Sequence, residues 1–416
     1  MEYSLDFSKT TMKVNIDDKN LLGVLHANQV SIKLTGAAEV KRAIENPIGS
    51  KGLYEIVKPG EKVAIVTSDI TRPMPSKVVL PVVLEELSKA GVKDEDITVV
   101  FALGSHRKHT EEEMKYLVGE DIYNRISCID SDTKNFVHFG YTENKTPIDI
   151  FTPVAKADRR ICLGNIEYHY FAGYSGGAKA IMPGVSTRGA IQANHSRMVE
   201  ASAHAGNIIT NPVRKDIEDT IKIVPIDFIV NVVLNEKKEI INAVAGHYID
   251  AHREGCKFLD SFYKIPIKEK ADIVISSIGG YPKDLNLYQA QKALDNAKHA
   301  VKNGGIIILV ASCKEGLGED VFEEWLLEAK RPEDLIERIK TTFVLGGHKA
   351  AAIAMVLENS RVFLVSELEP EFVKNIFLEP YSDVQSALEG AYGILGNEAS
   401  VILVPHGGSI LPVLEK

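Results

Sequence analysis

The most informative stretch of this sequence is RICLGNIEYHYFAGYSGGAKAIMPGVSTRGAIQANH, residues 160–195. It begins with an apolar run, Arg160 to Gly164, that predicts a short buried strand. The glycines and other small residues that follow let backbone amides approach a ligand closely. Among them are Lys179, a cation or nucleophile, and His169 and His195, which can carry protons or bind a metal. This composition predicts an active site at the end of a strand.

The length and composition of the chain indicate a globular protein of more than one domain. At 416 residues the chain exceeds a usual single domain, so two domains are expected. A hydrophobic content of 45% with 25% charged residues is typical of a protein that buries a full core. The net charge of −9 argues against nucleic acid or an anionic membrane as a partner. A small anionic substrate remains compatible, because local cations outweigh net charge at a pocket.

The cysteines and the N-terminus predict a cytoplasmic protein. The four cysteines are far apart and form no CxxC pair, which argues against a disulfide framework or a cysteine zinc site. The first residues, MEYSLDFSKT, lack the basic start and apolar core of a signal peptide. No apolar run reaches the roughly eighteen residues that a membrane span needs.

Apolar runs alternate with helical patterns along most of the chain. Strands are predicted at residues 62–67, 97–103, 160–164, 226–233 and 239–244, and then at 271–277, 305–311, 361–365 and 400–404. A charged, proline-containing link at residues 263–270 separates the two series. Continuous apolar strands separated by helices indicate parallel sheets that are buried on both faces. We therefore predict two three-layer α/β domains with mainly parallel sheets, residues 1–264 and 265–416, the second of them Rossmann-like.

Two polar motifs follow predicted strands, where ligands bind in parallel sheets. SDITRP (68–73) contains Asp69 and Arg72, and arginine suits bidentate binding of a carboxylate or phosphate. A capped turn with a surface ion pair would explain the same residues. A lone histidine is more often structural, but GSHR (104–107) places His106 after glycine at a strand end, which raises the odds of a functional role. His109 begins the next predicted helix, so we expect it to be solvated.

The glycine-rich segment around Lys179 fits no standard nucleotide motif. Ala178 and Ala180 occupy positions where the phosphate-binding motif GxxxxGK[ST] requires glycine and a hydroxyl residue, and GxGxxG is absent. The spacing of His169 and His195 matches neither HExxH nor a zinc finger. A lysine with a single histidine ligand instead suggests a metal that is held mostly by a bound organic group.

The second half of the chain contains weaker motifs. Gln289 and Lys292 lie one helical turn apart near a predicted helix N-terminus, where they could bind an anion. A solvated helix face is the alternative. The segments GGHK (346–349) and PHGG (405–408) are glycine-flanked histidines, which we interpret as helix or turn punctuation.

Together these segments resemble the lactate racemase family, the enzymes that use a nickel-pincer nucleotide. The matching segments are SDITRP (68–73), GSHR (104–107), HYFAGYSGGAKAIMPG (169–184), NH (194–195) and YQAQK (288–292). The resemblance implies a cofactor-binding and catalytic N-terminal domain, a C-terminal α/β domain and an active site in the cleft between them. The implied activity is inversion of the Cα of lactate or a related 2-hydroxy acid, by reversible hydride transfer through a 2-keto acid.

The resemblance also implies roles for individual residues. The cofactor would be nickel held by pyridinium-3-thioamide-5-thiocarboxylic acid mononucleotide, made by dedicated cofactor-synthesis enzymes. His195 matches the family's nickel ligand, and Lys179 matches the lysine that is linked covalently to the cofactor. His106 and His169 match the acid–base pair. The remaining matches are Asp69, Arg72, Ser175, Gly176 and Gly177 for cofactor binding, and Arg72, Tyr288, Gln289 and Lys292 for substrate binding.

Two other functions stay open on the residues alone. A nicotinamide-dependent 2-hydroxy acid dehydrogenase would suit the α/β domains and a pocket of His, Arg and Lys, but the dinucleotide motif is missing. A non-catalytic nucleotide- or metal-binding protein would suit the glycine-rich loop. It gives no reason for two acid–base histidines.

Overall fold

The structure is a computed structural model that describes residues 1–415 of the chain. The strands are, in chain order, β1 (Glu2–Phe7), β2 (Thr10–Asn15), β3 (Leu21–Val24), β4 (Val63–Ser68), β5 (Ile97–Ala102), β6 (Ser127–Asp130), β7 (Phe136–Tyr141), β8 (Pro147–Phe151), β9 (Arg159–Asn165), β10 (Tyr168–His169), β11 (Gly173–Tyr174), β12 (Phe228–Leu234), β13 (Ile240–Gly246), β14 (Lys264–Ile267), β15 (Ala271–Ser277), β16 (Val301–Val310), β17 (Ser360–Val365), β18 (Glu379–Tyr381), β19 (Val401–Val404) and β20 (Leu411–Leu414).

Helices connect most of these strands. They are α1 (Gly36–Glu45), α2 (Leu53–Ile56), α3 (Ser76–Lys89), α4 (Glu111–Val118), α5 (Glu120–Arg125), α6 (Thr152–Ala155), α7 (Arg188–His195), α8 (Pro212–Ile221), α9 (Asp250–Tyr263), α10 (Leu287–Ala297), α11 (Asp320–Glu328), α12 (Pro332–Thr341), α13 (Gly347–Leu357), α14 (Pro370–Asn375) and α15 (Val384–Leu395). None of the helices within residues 1–415 combines the length and apolar character that crossing a membrane requires.

The chain divides into two compact units. The central unit comprises Val30–Ser261, and the terminal unit comprises Met1–Gln29 together with the residues from Phe262 onward. Each unit contains a six-stranded sheet in which nearly all neighbours are parallel, so the predicted α/β architecture with mainly parallel sheets is confirmed.

The central unit is built around the sheet β13-β12-β9-β4-β5-β6. All neighbours are parallel except β12 and β13, which form an antiparallel pair at one edge. The first five residues of β4, Val63–Thr67, are buried, as expected for a strand covered on both faces. The chain continues from β4 to β5 on one side and later reaches β9 on the other side. The carboxyl ends of β4 and β9 therefore border a topological switch point, where ligands bind in such sheets.

The terminal unit contains the sheet β18-β17-β16-β15-β19-β3, which is parallel throughout. Its edge strand β3 comes from the N-terminal segment and pairs with β19 near the C-terminus. Asn20 fixes this junction, because its Nδ2 donates to the backbone oxygens of Asn397 and Ala399 at 2.8 and 2.9 Å. The Asn20 carbonyl in turn accepts from the Val401 amide at 2.7 Å.

The predicted division at residue 264 differs from the structure at the N-terminus. The second boundary lies close to the prediction, at Phe262, but residues 1–29 belong to the terminal unit and not to the first domain. The physical reason is the pairing of β3 with β19, a contact across almost the whole chain. Local sequence patterns do not reveal pairing at that distance.

We expect Asn20→Ala to destabilise the terminal unit selectively. The variant removes two hydrogen bonds and leaves two backbone carbonyls without their donor, a loss of about 1–3 kcal/mol. Hydrogen exchange should accelerate at Val401 and along β19, while β4 and β5 keep their wild-type rates. Asn15→Ala, at an exposed strand position, is the control. Unchanged exchange at β19 in Asn20→Ala would contradict the assignment of this junction.

Candidate active site

The candidate residues of the central unit gather at the carboxyl ends of its parallel strands. Asp69 follows β4 directly, and His106 lies in the loop after β5. His169 lies shortly after β9, on the two-residue strand β10. The Gly104 amide donates to the Gly184 carbonyl at 2.9 Å, which joins the loop of His106 to the segment beyond Lys179.

Asp69 and His106 form a direct pair. The carboxylate of Asp69 accepts from Nδ1 of His106, and its other oxygen accepts from the amide and hydroxyl of Thr71 at 2.9 and 2.6 Å. Burial on its own would raise the pKa of Asp69, but His106, Thr71 and the charge of Arg72 bring the pKa below its usual value. Because an ionised carboxylate only accepts, Nδ1 of His106 carries a proton and Nε2 is the basic nitrogen. The turn of the alternative interpretation is present, because the Asp69 carboxylate accepts from the Thr71 amide, but Asp69 is buried and so is not part of a surface ion pair.

His109 is also buried, which corrects the expectation that it is solvated. Its side chain is only 1% exposed. Nδ1 lies 2.6 Å from a carboxylate oxygen of Asp130, and Nε2 accepts from the amide of Ile70 at 3.0 Å. Asp130 is the last residue of β6, so this histidine ties the loop of His106 to the end of the sheet and to the segment of Asp69. The signal that could have indicated this burial is Asp130, an acidic residue at the end of a strand next to β5.

Phe171 brings three of the predicted site residues together. Its buried ring lies 4.5 Å from the ring of His169 and 4.9 Å from the ring of His195, centroid to centroid. Nζ of Lys179 lies 5.8 Å from the same ring. Sequence reasoning did not single out Phe171, although an aromatic residue between His169 and Lys179 was the available signal. The ring supplies an apolar wall that these polar groups share.

The electrostatics of the site favour neutral bases. Burial lowers the pKa of Lys179 well below its usual value, and the charges of Arg214 and Arg72 lower it further. Burial also lowers the pKa of His169, and the charge of Arg72 lowers it further. A neutral amine is nucleophilic, and a neutral imidazole can accept or pass on a proton. Because Arg72 acts on both groups and on Asp69, these three side chains share one electrostatic environment.

Arg214 is a second residue that sequence reasoning missed. Its fully buried guanidinium donates to three backbone carbonyls of the glycine-rich loop, those of Ala172, Tyr174 and Gly176. It therefore shapes the loop that leads to Lys179 and adds positive charge beside it. The sequence offers only a weak signal for this role, because Arg214 stands three residues after Asn211, whose side chain caps α8.

The glycine-rich loop is held by contacts within the protein. The Gly177 amide donates to Oδ1 of Asn231 at 2.7 Å, and the Ser175 hydroxyl donates to the Asn165 carbonyl at 2.7 Å. Gly176 has φ +76°, and a Cβ there would lie 2.7 Å from Oδ1 of Asn231, so only glycine fits. The loop is therefore rigid at these atoms. The predicted contacts of Ser175, Gly176 and Gly177 with a cofactor stay predictions.

His195 ends α7 and is suited to bind a metal through one nitrogen. Its Nδ1 lies 2.9 Å from Oδ1 of Asn194, an atom that only accepts, so Nδ1 carries the proton and Nε2 the lone pair. Within residues 1–415, no group of three or more His, Cys, Asp or Glu side chains could hold a metal ion. A metal at His195 would therefore take its other ligands from a bound molecule. This donor set fits an organic metal cofactor.

The other predicted residues lie in the terminal unit, on α10. Gln289 and Lys292 are exposed, and Tyr288 is partly buried in the first turn. Lys349 donates to the Tyr288 carbonyl, and its Nζ lies 3.9 Å from the centre of the Tyr288 ring. The segment GGHK (346–349), which we interpreted as punctuation, thus places a buried lysine against a candidate substrate-binding residue.

Comparisons with known proteins identify the family of the chain. Residues 7–206 match the lactate racemase N-terminal domain, and residues 267–412 match the lactate racemase C-terminal domain. Lactate racemases of Thermoanaerobacterium thermosaccharolyticum and Lactiplantibacillus plantarum are each 34% identical to the chain over 98% of its length and 98% of their own.

Solved structures give the same result. The lactate racemase apoprotein from T. thermosaccharolyticum has a TM-score of 0.89 and 33% identity, with 100% of both chains covered. A protein from Thermotoga maritima has a TM-score of 0.62 at 18% identity, covering 91% of this chain and 97% of its own, and shows the fold alone. The fold and the relatives together define an enzyme, an isomerase. The chain belongs to the lactate racemase family.

Removing the amine of Lys179 should flatten the pH dependence of apoprotein stability. A lysine with a lowered folded-state pKa binds fewer protons folded than unfolded, so stability rises with pH between that pKa and the usual value. Lys179→Met should remove a slope of up to about 1.4 kcal/mol per pH unit at pH values just below the usual lysine pKa of about 10.4. Urea unfolding measures this slope, with the exposed Lys134→Met as control. Parallel pH profiles for wild type and Lys179→Met would show that the buried amine is charged.

Proposed function

We propose that this enzyme inverts the Cα of a 2-hydroxy acid, lactate or a related compound, with a nickel-pincer nucleotide as cofactor. One observation carries the proposal: His169, His195 and Lys179 surround the ring of Phe171, and His106, paired with the carboxylate of Asp69, follows a neighbouring strand of the same sheet. Inversion requires acid–base groups for both faces of the carbinol carbon, which two histidines supply. Both curated relatives are named lactate racemase, which supports lactate as the substrate class.

The residues fit the proposed cofactor. His195 would bind nickel through Nε2, and Lys179, kept neutral by its surroundings, would form the covalent link. Asp69, Arg72 and the loop Ser175–Gly177 would contact the nucleotide. When bound, this group supplies reversible acceptance of hydride from Cα, which interconverts the 2-hydroxy acid and its 2-keto acid. Enzymes that synthesise the cofactor would be required for maturation.

The side chains of the central unit would handle the proton and the substrate carboxylate. His106 takes the hydroxyl proton at Nε2, while Asp69 stabilises the imidazolium that forms. His169 serves the hydroxyl of the opposite enantiomer. Arg72, which is exposed and close enough to lower neighbouring pKa values, would bind the substrate carboxylate. In the terminal unit we assign Tyr288, Gln289 and Lys292 to substrate binding.

The two alternative functions receive no support. A nicotinamide-dependent dehydrogenase is an oxidoreductase, whereas the full-length relatives are racemases. A non-catalytic binding protein would not need the Asp69–His106 pair or the lowered pKa of His169.

The direct test is to produce the protein with and without the cofactor-synthesis enzymes. The proposal expects nickel, a visible absorption band, a mass increment on Lys179 and racemisation of D- or L-lactate, or of another 2-hydroxy acid, only after co-production. Nickel-free, inactive protein from both preparations would overturn it. Absence of the mass increment from an active preparation would remove only the covalent link.

We expect His106→Ala to lose racemisation and keep nickel. Removal of a positioned acid–base group typically lowers turnover about 10²–10⁴-fold. The metal should stay, because His106 pairs with Asp69 and is not a proposed ligand. Chiral chromatography and metal analysis of one preparation measure both properties. The control is Arg107→Ala, an exposed neighbour that pairs with Glu113. Near-normal turnover in His106→Ala would remove this histidine from the reaction.

His195→Ala should show the opposite pattern, with loss of nickel from a folded protein. The variant removes the proposed protein ligand and leaves the metal without the imidazole. Metal content after gel filtration is the measurement, and thermal unfolding of the apoprotein confirms that the variant is folded. His26→Ala, at an exposed position, is the matched control. Full nickel retention by His195→Ala would disprove the ligand assignment.

A further inference from the structure

Asp216, on α8, is a fully buried carboxylate whose hydrogen bonds come from neutral groups. Thr142 and Thr146 donate their hydroxyls, the latter at 2.6 Å, and Asn194 donates Nδ2 at 2.9 Å. A more distant donor is Nδ2 of Asn144, at 3.5 Å. A buried carboxylate costs free energy unless its oxygens are satisfied by hydrogen bonds, and here both oxygens are. The arrangement joins α8, α7 and the turn between β7 and β8.

The orientation of the Asn194 side chain follows from two acceptors. Nδ2 donates to the Val213 carbonyl at 3.1 Å as well as to Asp216. A backbone carbonyl can only accept, so the amide nitrogen must lie on this side and Oδ1 on the other. Oδ1 then lies 2.9 Å from Nδ1 of His195, which must be the donor. Asn194 is fully buried, so water does not replace these partners.

We propose that Asn194, oriented by Asp216 and the Val213 carbonyl, holds His195 in the tautomer with the proton on Nδ1. The effect of this tautomer on nickel binding rests on the proposed function. Histidines that bind metals usually donate their second N–H to an oxygen, which fixes the ring and the tautomer, and loss of that partner typically costs 10–100-fold in metal affinity. Asn194 and Asp216 are thus positioning residues that act through His195.

The chemistry also explains why asparagine stands at position 194. Aspartate would place a second carboxylate oxygen against Asp216 and the Val213 carbonyl, where only a donor is tolerated. Leucine would fill a similar volume but offer no acceptor to Nδ1 of His195. The amide is the side chain that donates on one side and accepts on the other.

The first test measures the tautomer in wild-type apoprotein made without the cofactor-synthesis enzymes. Long-range ¹H–¹⁵N spectra of protein labelled at histidine give it, and His195→Gln identifies the signals. The proposal expects the proton on Nδ1 of His195. A proton on Nε2 would overturn it. This readout needs neither cofactor nor activity, so it is independent of the proposed function.

The second test compares Asn194→Leu with the matched Asn144→Leu, an exposed residue at the far end of the network. Asn194→Leu should move the His195 proton toward Nε2 and speed nickel loss from co-produced protein by about 10–100-fold. Asn144→Leu should leave both unchanged. A wild-type tautomer in Asn194→Leu would overturn the proposal. If wild-type protein holds no nickel while the tautomers behave as expected, the proposed function fails, but Asn194 still positions His195.

Discussion

The hydrogen bonds from Arg214 to the backbone of the glycine-rich loop are the interaction on which the candidate site depends. Three carbonyls between Ala172 and Gly176 accept from one buried guanidinium, so the loop is shaped around a positive charge. The same charge lowers the pKa of Lys179 and His169, which lie on either side of that loop. Burial is the larger cause of both lowered pKa values, and the charge of Arg214 adds to it. The residue that shapes the loop therefore also favours a neutral amine and a neutral imidazole beside it.

The topology of the central sheet brings the candidate residues of separate segments to one edge. Asp69, His106 and His169 come from three different strand ends, yet β4, β5 and β9 are neighbours and end at the same edge. The three side chains differ in chemistry. Asp69 is a carboxylate, His106 is an imidazole that pairs with it, and His169 is an imidazole of lowered pKa. His109 and Asp130 bring in the end of β6 as a support. The site is therefore assembled from separate short loops on a rigid sheet.

Sequence patterns predicted most strands of the two six-stranded sheets and the α/β class, because apolar runs encode these locally. They also proposed candidate site residues at polar strand ends. They did not predict Phe171, Arg214 or the burial of His109. The importance of Phe171 arises from side chains of separate segments that meet on its ring, and that of Arg214 from carbonyls about forty residues away in sequence. The assignment of residues 1–29 to the terminal unit has the same origin, since β3 pairs with a strand near the other end of the chain. Long-range packing leaves little trace in a local window.

The pairing of β3 with β19 determines the order in which the chain can fold during synthesis. The central unit is complete once residue 261 has left the ribosome. In the terminal sheet, β3 has no strand to pair with until β19, residues 401–404, has been made. This early segment is thus among the last to find its partner. Until then, its strand edge is exposed and can pair with other chains, which is the usual route to aggregation. The protein carries this hazard in β3, a strand that contains none of the candidate site residues.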